Sequence, residues 1–183
     1  MPDIKSAWEI AQEKASKLGE LSVEEREEQR QHKCRELGEA LADKYLSSYD
    51  VEVIKDELSK HDTSDKDLIS RVAVNRLSRS IDLRYPNILS EISRGILYLE
   101  NTNAIKQTLE EIKALFYEYA SAEARQRQDI EKESREILHQ MRISGTAIGG
   151  LNIRAKEEWQ KKLDETARPF DSRLNALKGE LQN

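Results

Sequence analysis

The stretch Ala104–Ala120, AIKQTLEEIKALFYEYA, places Ile105, Leu109, Ile112, Phe116 and Tyr119 in steps of four and three. Residues three and four apart lie above one another on a helix of 3.6 residues per turn, so these five side chains form one apolar stripe. The helix is expected to follow Asn101-Thr-Asn103 and to run to about Met141. Continued in the same register, the stripe passes Glu123, Gln126, Ile130, Glu133 and Ile137, and an apolar seam becomes a mixed one. A second seam follows from about Arg154, where Leu163, Ala167, Phe170, Leu174, Leu177 and Leu181 keep a heptad spacing. Pro169 lies inside it and predicts a bend rather than a stop, because the seam keeps its phase across the proline. Two seamed helices in succession predict a long antiparallel helical hairpin, or coiled coil, over residues 101–183.

Between them lies RISGTAIGGLNIR, residues 142–154, with three of the chain's seven glycines, Gly145, Gly149 and Gly150. A phosphate loop would need the Gly-Lys-Ser/Thr ending and a preceding strand, and both are missing. Gly149-Gly150 flanked by Thr146-Ala-Ile148 and Leu151-Asn-Ile153 instead fits a two-residue hairpin turn, which requires positive φ. A small β-hairpin is therefore expected at about 143–153, closing the helical hairpin. So short a pair of strands needs a cover for Ile148, Leu151 and Ile153, and the same hairpin of a second chain would supply one.

Upstream, residues 37–100 read as a compact helical centre. Three shorter helices are marked by Val51/Ile54/Leu58, by Leu68/Ile69/Val72/Leu77 and by Ile88/Leu89/Ile92/Ile96/Leu99, with Pro86 suited to the first turn of the last. Ser22 with Glu25, and Ser64 with Asp67, have the spacing of capping boxes. Residues 1–36 read as an N-terminal helical arm. Asp3 caps a first helix with Ile4, Ala7, Trp8, Ala11, Ala15 and Leu18 on one side and Gly19 at its end, and the charged run after Ser22 is solvated.

Composition supports a mainly all-α helical bundle: Ala, Glu, Lys, Arg and Leu supply 89 of the 183 residues, and there are three prolines. One cysteine, Cys34, excludes an intrachain disulfide and fits a cytoplasmic protein. The N-terminus lacks the apolar run of a signal peptide, and nothing approaches the ~20 apolar residues of a membrane span. With a net charge of −5 the chain has no broad basic excess, so nucleic acid is not the expected partner. The local exception is Arg71–Arg94, where Arg71, Arg76, Arg79 and Arg84 are candidate contacts to phosphate.

Catalytic and metal motifs are missing. There is no Gly-x-Ser-x-Gly, His-Glu-x-x-His or Cys-x-x-Cys, and His32, His61 and His139 are far apart in sequence. No cofactor, metal or catalytic residue is expected. The pattern points to a non-catalytic protein–protein interaction or scaffold protein, expected to be a homodimer, with Ile148, Leu151, Ile153, Trp159, Leu163, Phe170, Leu174 and Leu177 as candidate interface residues. Nucleic-acid or phosphorylated-ligand binding through the arginines is the alternative.

The segments IKSAWEIAQEKASKLGELSVEE, VAVNRLSRSIDLRYPN and ISGTAIGGLNIRAKEEWQKKL together resemble a bacterial family of small helical proteins. Its members begin with a Ser-Ala-Leu-Glu-Ile-Ala-like helix and carry a Gly/Ser/Ala patch before the last helix. This chain departs from that pattern at Trp8 and at Ser80-Ile-Asp82. The resemblance implies a helical fold and no particular activity.

Overall fold

The computed structural model describes residues 22–140 and 157–182. Six α-helices follow in order: α1 Val23–Ser48, α2 Val51–Ser59, α3 Thr63–Arg79, α4 Leu89–Leu99, α5 Asn103–Gln140 and α6 Glu157–Glu180, with a 3-10 turn Pro86–Ile88 leading into α4. Of the described residues 88% are helical and none is in a strand, so the chain is all-α and the expected β-hairpin at about 143–153 is corrected. A hairpin with three-residue arms is marginal without a sheet to join, and no strand among the described residues offers one. Its residues, Gly145, Ile148, Gly149, Gly150, Leu151 and Ile153, lie outside the described residues, as does the expected helix 3–18.

Local chemistry sets the helix ends. The Ser22–Glu25 box forms as spelled: the Glu25 amide donates to Ser22 Oγ at 3.1 Å and the Ser22 amide to Glu25 Oε2 at 2.7 Å. Asp50 caps α2 by accepting from the Glu52 amide. The cap of α3 is Asp62 rather than Ser64, because the Asp62 carboxylate accepts from the Asp65 amide at 2.9 Å while Ser64 Oγ is taken by Arg30. α6 runs through Pro169 without a break.

Helices α1 and α3 run parallel. Arg30 meets Ser64 and Asp65, Gly38 meets Ile69 and Val72, and Asp43 pairs with Arg76 at 2.8 Å, so both chains advance together. The short α2, packed on α1 and α4, carries the chain back to the start of α3. Gly38 sets the spacing, since a Cβ there would lie 2.7 Å from Val72 Cβ and 2.8 Å from the Ile69 carbonyl oxygen. Near the other end, Tyr45 is fully buried, donates its hydroxyl to the Glu91 carbonyl at 2.6 Å and fills the notch left by Gly95 on α4. Just beyond it Tyr49 ends α1 in the left-handed region, φ 53°, and its carbonyl accepts from Arg94.

The first half of α5 lays Ile105, Leu109, Ile112, Leu115 and Phe116 on this core, and α6 returns antiparallel beside it. Glu118 pairs with Arg173, Tyr119 packs edge-on against Phe170 at a centroid distance of 5.5 Å, and Glu133 pairs with Lys162, so the numbering falls on α6 as it rises on α5. The mixed stretch of α5 is thus a paired one: Ile130 and Ser134 are buried, as is Leu163 on the facing part of α6. The Ser134 hydroxyl is satisfied by the Ile130 carbonyl of its own helix. Among the described residues no helix is long and apolar enough to cross a membrane.

Adding a methyl group tests the close approaches. Gly38→Ala and Gly95→Ala are each expected to destabilise the chain by about 1–3 kcal/mol through overpacking, despite a helix-propensity gain of up to ~1 kcal/mol. Gly179→Ala, with nothing within 4 Å of the added carbon, keeps the propensity gain alone and should hold or raise the melting temperature. Thermal denaturation of the three variants checks this, and a rise for Gly38→Ala or Gly95→Ala contradicts the packing described.

Candidate binding groove

Helix α4 is apolar on two sides. Leu89, Ile92 and Ile96 share the face buried in the core, while Leu97, with the outer edge of Leu89, looks toward α5 across a space of about 720 Å³. Leu109, Phe116 and Tyr117 form the α5 wall, Pro86 and Ala120 one end, and Lys106 the other. The walls are mainly apolar; Ser90 and Ser93 of α4 also line them, and the Ser93 hydroxyl donates to the Leu89 carbonyl of its own helix. Tyr117 remains 67% exposed beside the buried Phe116, and Tyr85 is exposed next to Pro86. Lys113 pairs with Glu110 at the rim. Among the described residues, the buried side-chain polar atoms without a hydrogen bond, on His61, Asn75 and Glu91, lie elsewhere. A groove with mainly apolar walls and its charged groups at the rim can hold the apolar face of another helix.

The candidate arginines do not assemble. Arg76 is held by Asp43 and Ser80, Arg94 by Glu91 and the Tyr49 carbonyl, and Arg84 by Asp82 at 3.1 Å. Arg71 lies apart, in a hollow with Glu180 and Glu100. Arg79 and Arg84 do share a cleft of about 430 Å³ with Lys178, but Asp82 and Asp171 line it too. Burial there lowers the Lys178 amine, with both aspartates acting in the opposite direction.

The candidate interface residues within the described part of α6 pack inside the chain. Leu163 and Leu174 are buried, Phe170 and Leu177 pack on the core cluster or its edge, and Trp159 is half-buried near the start of the helix. Leu163→Ala and Leu174→Ala are therefore each expected to cost about 2–5 kcal/mol, with no change of oligomeric state. Denaturant unfolding read together with sedimentation checks both halves of that statement.

A second cluster joins α1 to the start of α3. Arg30 Nε donates to Asp65 Oδ1 at 2.6 Å over the buried thiol of Cys34. Burial first, and then Asp65, pushes the Cys34 thiol up, which keeps it protonated and a poor nucleophile. The Arg30 bond holds the Asp65 carboxyl below its usual range. Since the folded value lies below the unfolded one, this contribution is complete above about pH 4 and is lost as the pH falls through the lowered value. Arg30→Gln should accordingly melt below wild type at neutral pH, with the gap closing in acid; a gap independent of pH contradicts the pairing. Among the described residues no three His, Cys, Asp or Glu side chains stand together as metal ligands.

The groove escaped the sequence reading, although a signal for it exists. Leu97 widens the apolar face of α4 beyond the stripe of Leu89, Ile92 and Ile96, and Tyr117 stands outside the stripe of α5. Comparison with known proteins finds no family model, no curated protein and no solved structure that matches this chain.

Proposed function

We propose that the chain is a non-catalytic protein–protein interaction or scaffold protein of the bacterial cytoplasm, working as a homodimer, and that it docks a helix in the groove between α4 and α5. The observation that supports this is the groove itself. It is long, apolar along both walls and open to solvent, with an exposed tyrosine at its edge. A concave, mainly apolar surface of this kind suits contact with the apolar face of a helix. The helix-in-groove mode uses apolar anchors at i, i+3, i+4 and i+7, which the spacing of Leu97, Leu109 and Phe116 can receive. The buried free thiol of Cys34 suits a reducing compartment. Phosphate binding by the arginines has less support, since Arg76, Arg84 and Arg94 already face carboxylates.

Selection of peptides from a random helical library on the full chain provides the test. Peptides with that anchor spacing should be enriched, and Tyr117→Glu, an exposed position that leaves folding intact, should weaken their binding by tenfold or more. Enrichment of nothing, or of peptides indifferent to Tyr117→Glu, overturns the reading.

A further inference from the structure

We infer that the helix received between α4 and α5 is an acidic one: its edge against α5 carries two carboxylates seven residues apart, and its edge against α4 is uncharged. This rests on the groove being a helix-docking surface, and it names the chemistry of the occupant. The charged side chains of the groove all stand on one rim. Lys106, Glu110 and Lys113 supply them from α5, whereas α4 contributes only apolar side chains and the hydroxyls of Ser90 and Ser93. A helix lying between two such walls meets charge along one edge only, which fixes how it is rolled about its own axis. Charge is uneven along the groove as well. Pro86, Phe116, Tyr117 and Ala120 make one end apolar, while Lys113 stands near the middle and Lys106 at the other end.

Both lysines are open to a partner. Each is exposed, and among the described residues no carboxylate pairs with Lys106. Lys113 pairs with Glu110 at 3.6 Å, but the two side chains are 54% and 75% exposed, so this loose surface pair adds little to stability. Glu100 lines a different hollow, with Arg71 and Glu180. On α5, Lys106 and Lys113 are two turns apart, roughly 10 Å at 1.5 Å per residue, with Glu110 between them. A partner helix lying along α5 has the same rise, so carboxylates at i and i+7 meet the two lysines. A third carboxylate between them would face Glu110 and be repelled, and a base is favoured there instead. That base falls at i+3 when the partner runs antiparallel to α5 and at i+4 when it runs parallel, so the pattern that supplies attraction also records direction.

Peptide selection from a random helical library tests this, run on the full wild-type chain and on the double variant Lys106→Glu with Lys113→Glu, with melting temperature as the folding control. Both positions are exposed, and an acid in the first turn of α5 suits the helix dipole, so the variant should fold. Wild type should enrich peptides with carboxylates seven residues apart, and the variant should enrich peptides with lysine or arginine at the same two places. An acidic peptide selected on wild type should bind the variant about tenfold more weakly, and changing its two acids to lysine should restore the affinity. Its affinity for wild type should also fall as salt is raised. Peptides that share apolar anchors without a charge preference, or that stay acidic on the variant, overturn the inference while the docking function stands. Enrichment of nothing overturns both.

Discussion

The ring of Tyr45 occupies the space where a side chain at position 95 would stand, and much of the centre is arranged around that contact. A Cβ on Gly95 would come within 2.4 Å of the ring. With it missing, α4 can approach α1 closely enough for the tyrosine hydroxyl to donate to the Glu91 carbonyl, without which the buried phenol would lose this acceptor. The same device recurs at Gly38 between α1 and α3. Two missing side chains thus fix where three helices cross, and the apolar cluster from Leu41 to Ile96 fills what remains. Helix propensity opposes both glycines, and packing prevails because each closes a contact that a methyl group would hold open.

The all-helical character and the antiparallel pairing of α5 with α6 were legible in the sequence, since both rest on the spacing of a few large apolar residues such as Ile105, Ile112, Leu163 and Leu174. Local rules also placed the Ser22 cap. They failed at α3, where Ser64 and Asp62 both offer a capping oxygen and the choice is made by Arg30, 34 residues away from Ser64, which takes the serine hydroxyl. The β-hairpin inferred from Gly149-Gly150 rested on turn chemistry without a sheet, which is too little to specify strands. Gly38 and Gly95 gave no warning of their importance, because a close approach depends on what arrives from elsewhere in the chain.

The groove was hidden for a related reason. An apolar residue on a helix announces burial, yet α4 carries more apolar faces than the core can use. Leu89, Ile92 and Ile96 are consumed by the centre, and Leu97 is left, beside the edge of Leu89, to line a space that α5 only partly closes. The arginines show the converse. Five in one short stretch suggested a common target, but the turn of α3 and the path of residues 80–88 send them to different neighbours, and most of them find a carboxylate of the chain itself. Composition counts charges; the fold decides which of them are still unspent.

The return of α6 also bears on how the chain is made. Gln182 donates to Ser78 and Lys178 to the Arg79 carbonyl, links that span 104 and 99 residues. Leu174 from α6 and Leu181 just past its end complete the core cluster. Everything from α1 to the first half of α5 can therefore leave the ribosome and assemble while its last covering helix is still being synthesised. At ~5–20 residues per second that interval lasts several seconds. During it the nascent centre shows its neighbours an apolar flank that the finished protein never exposes, and this is the stage at which crowded translation most endangers it.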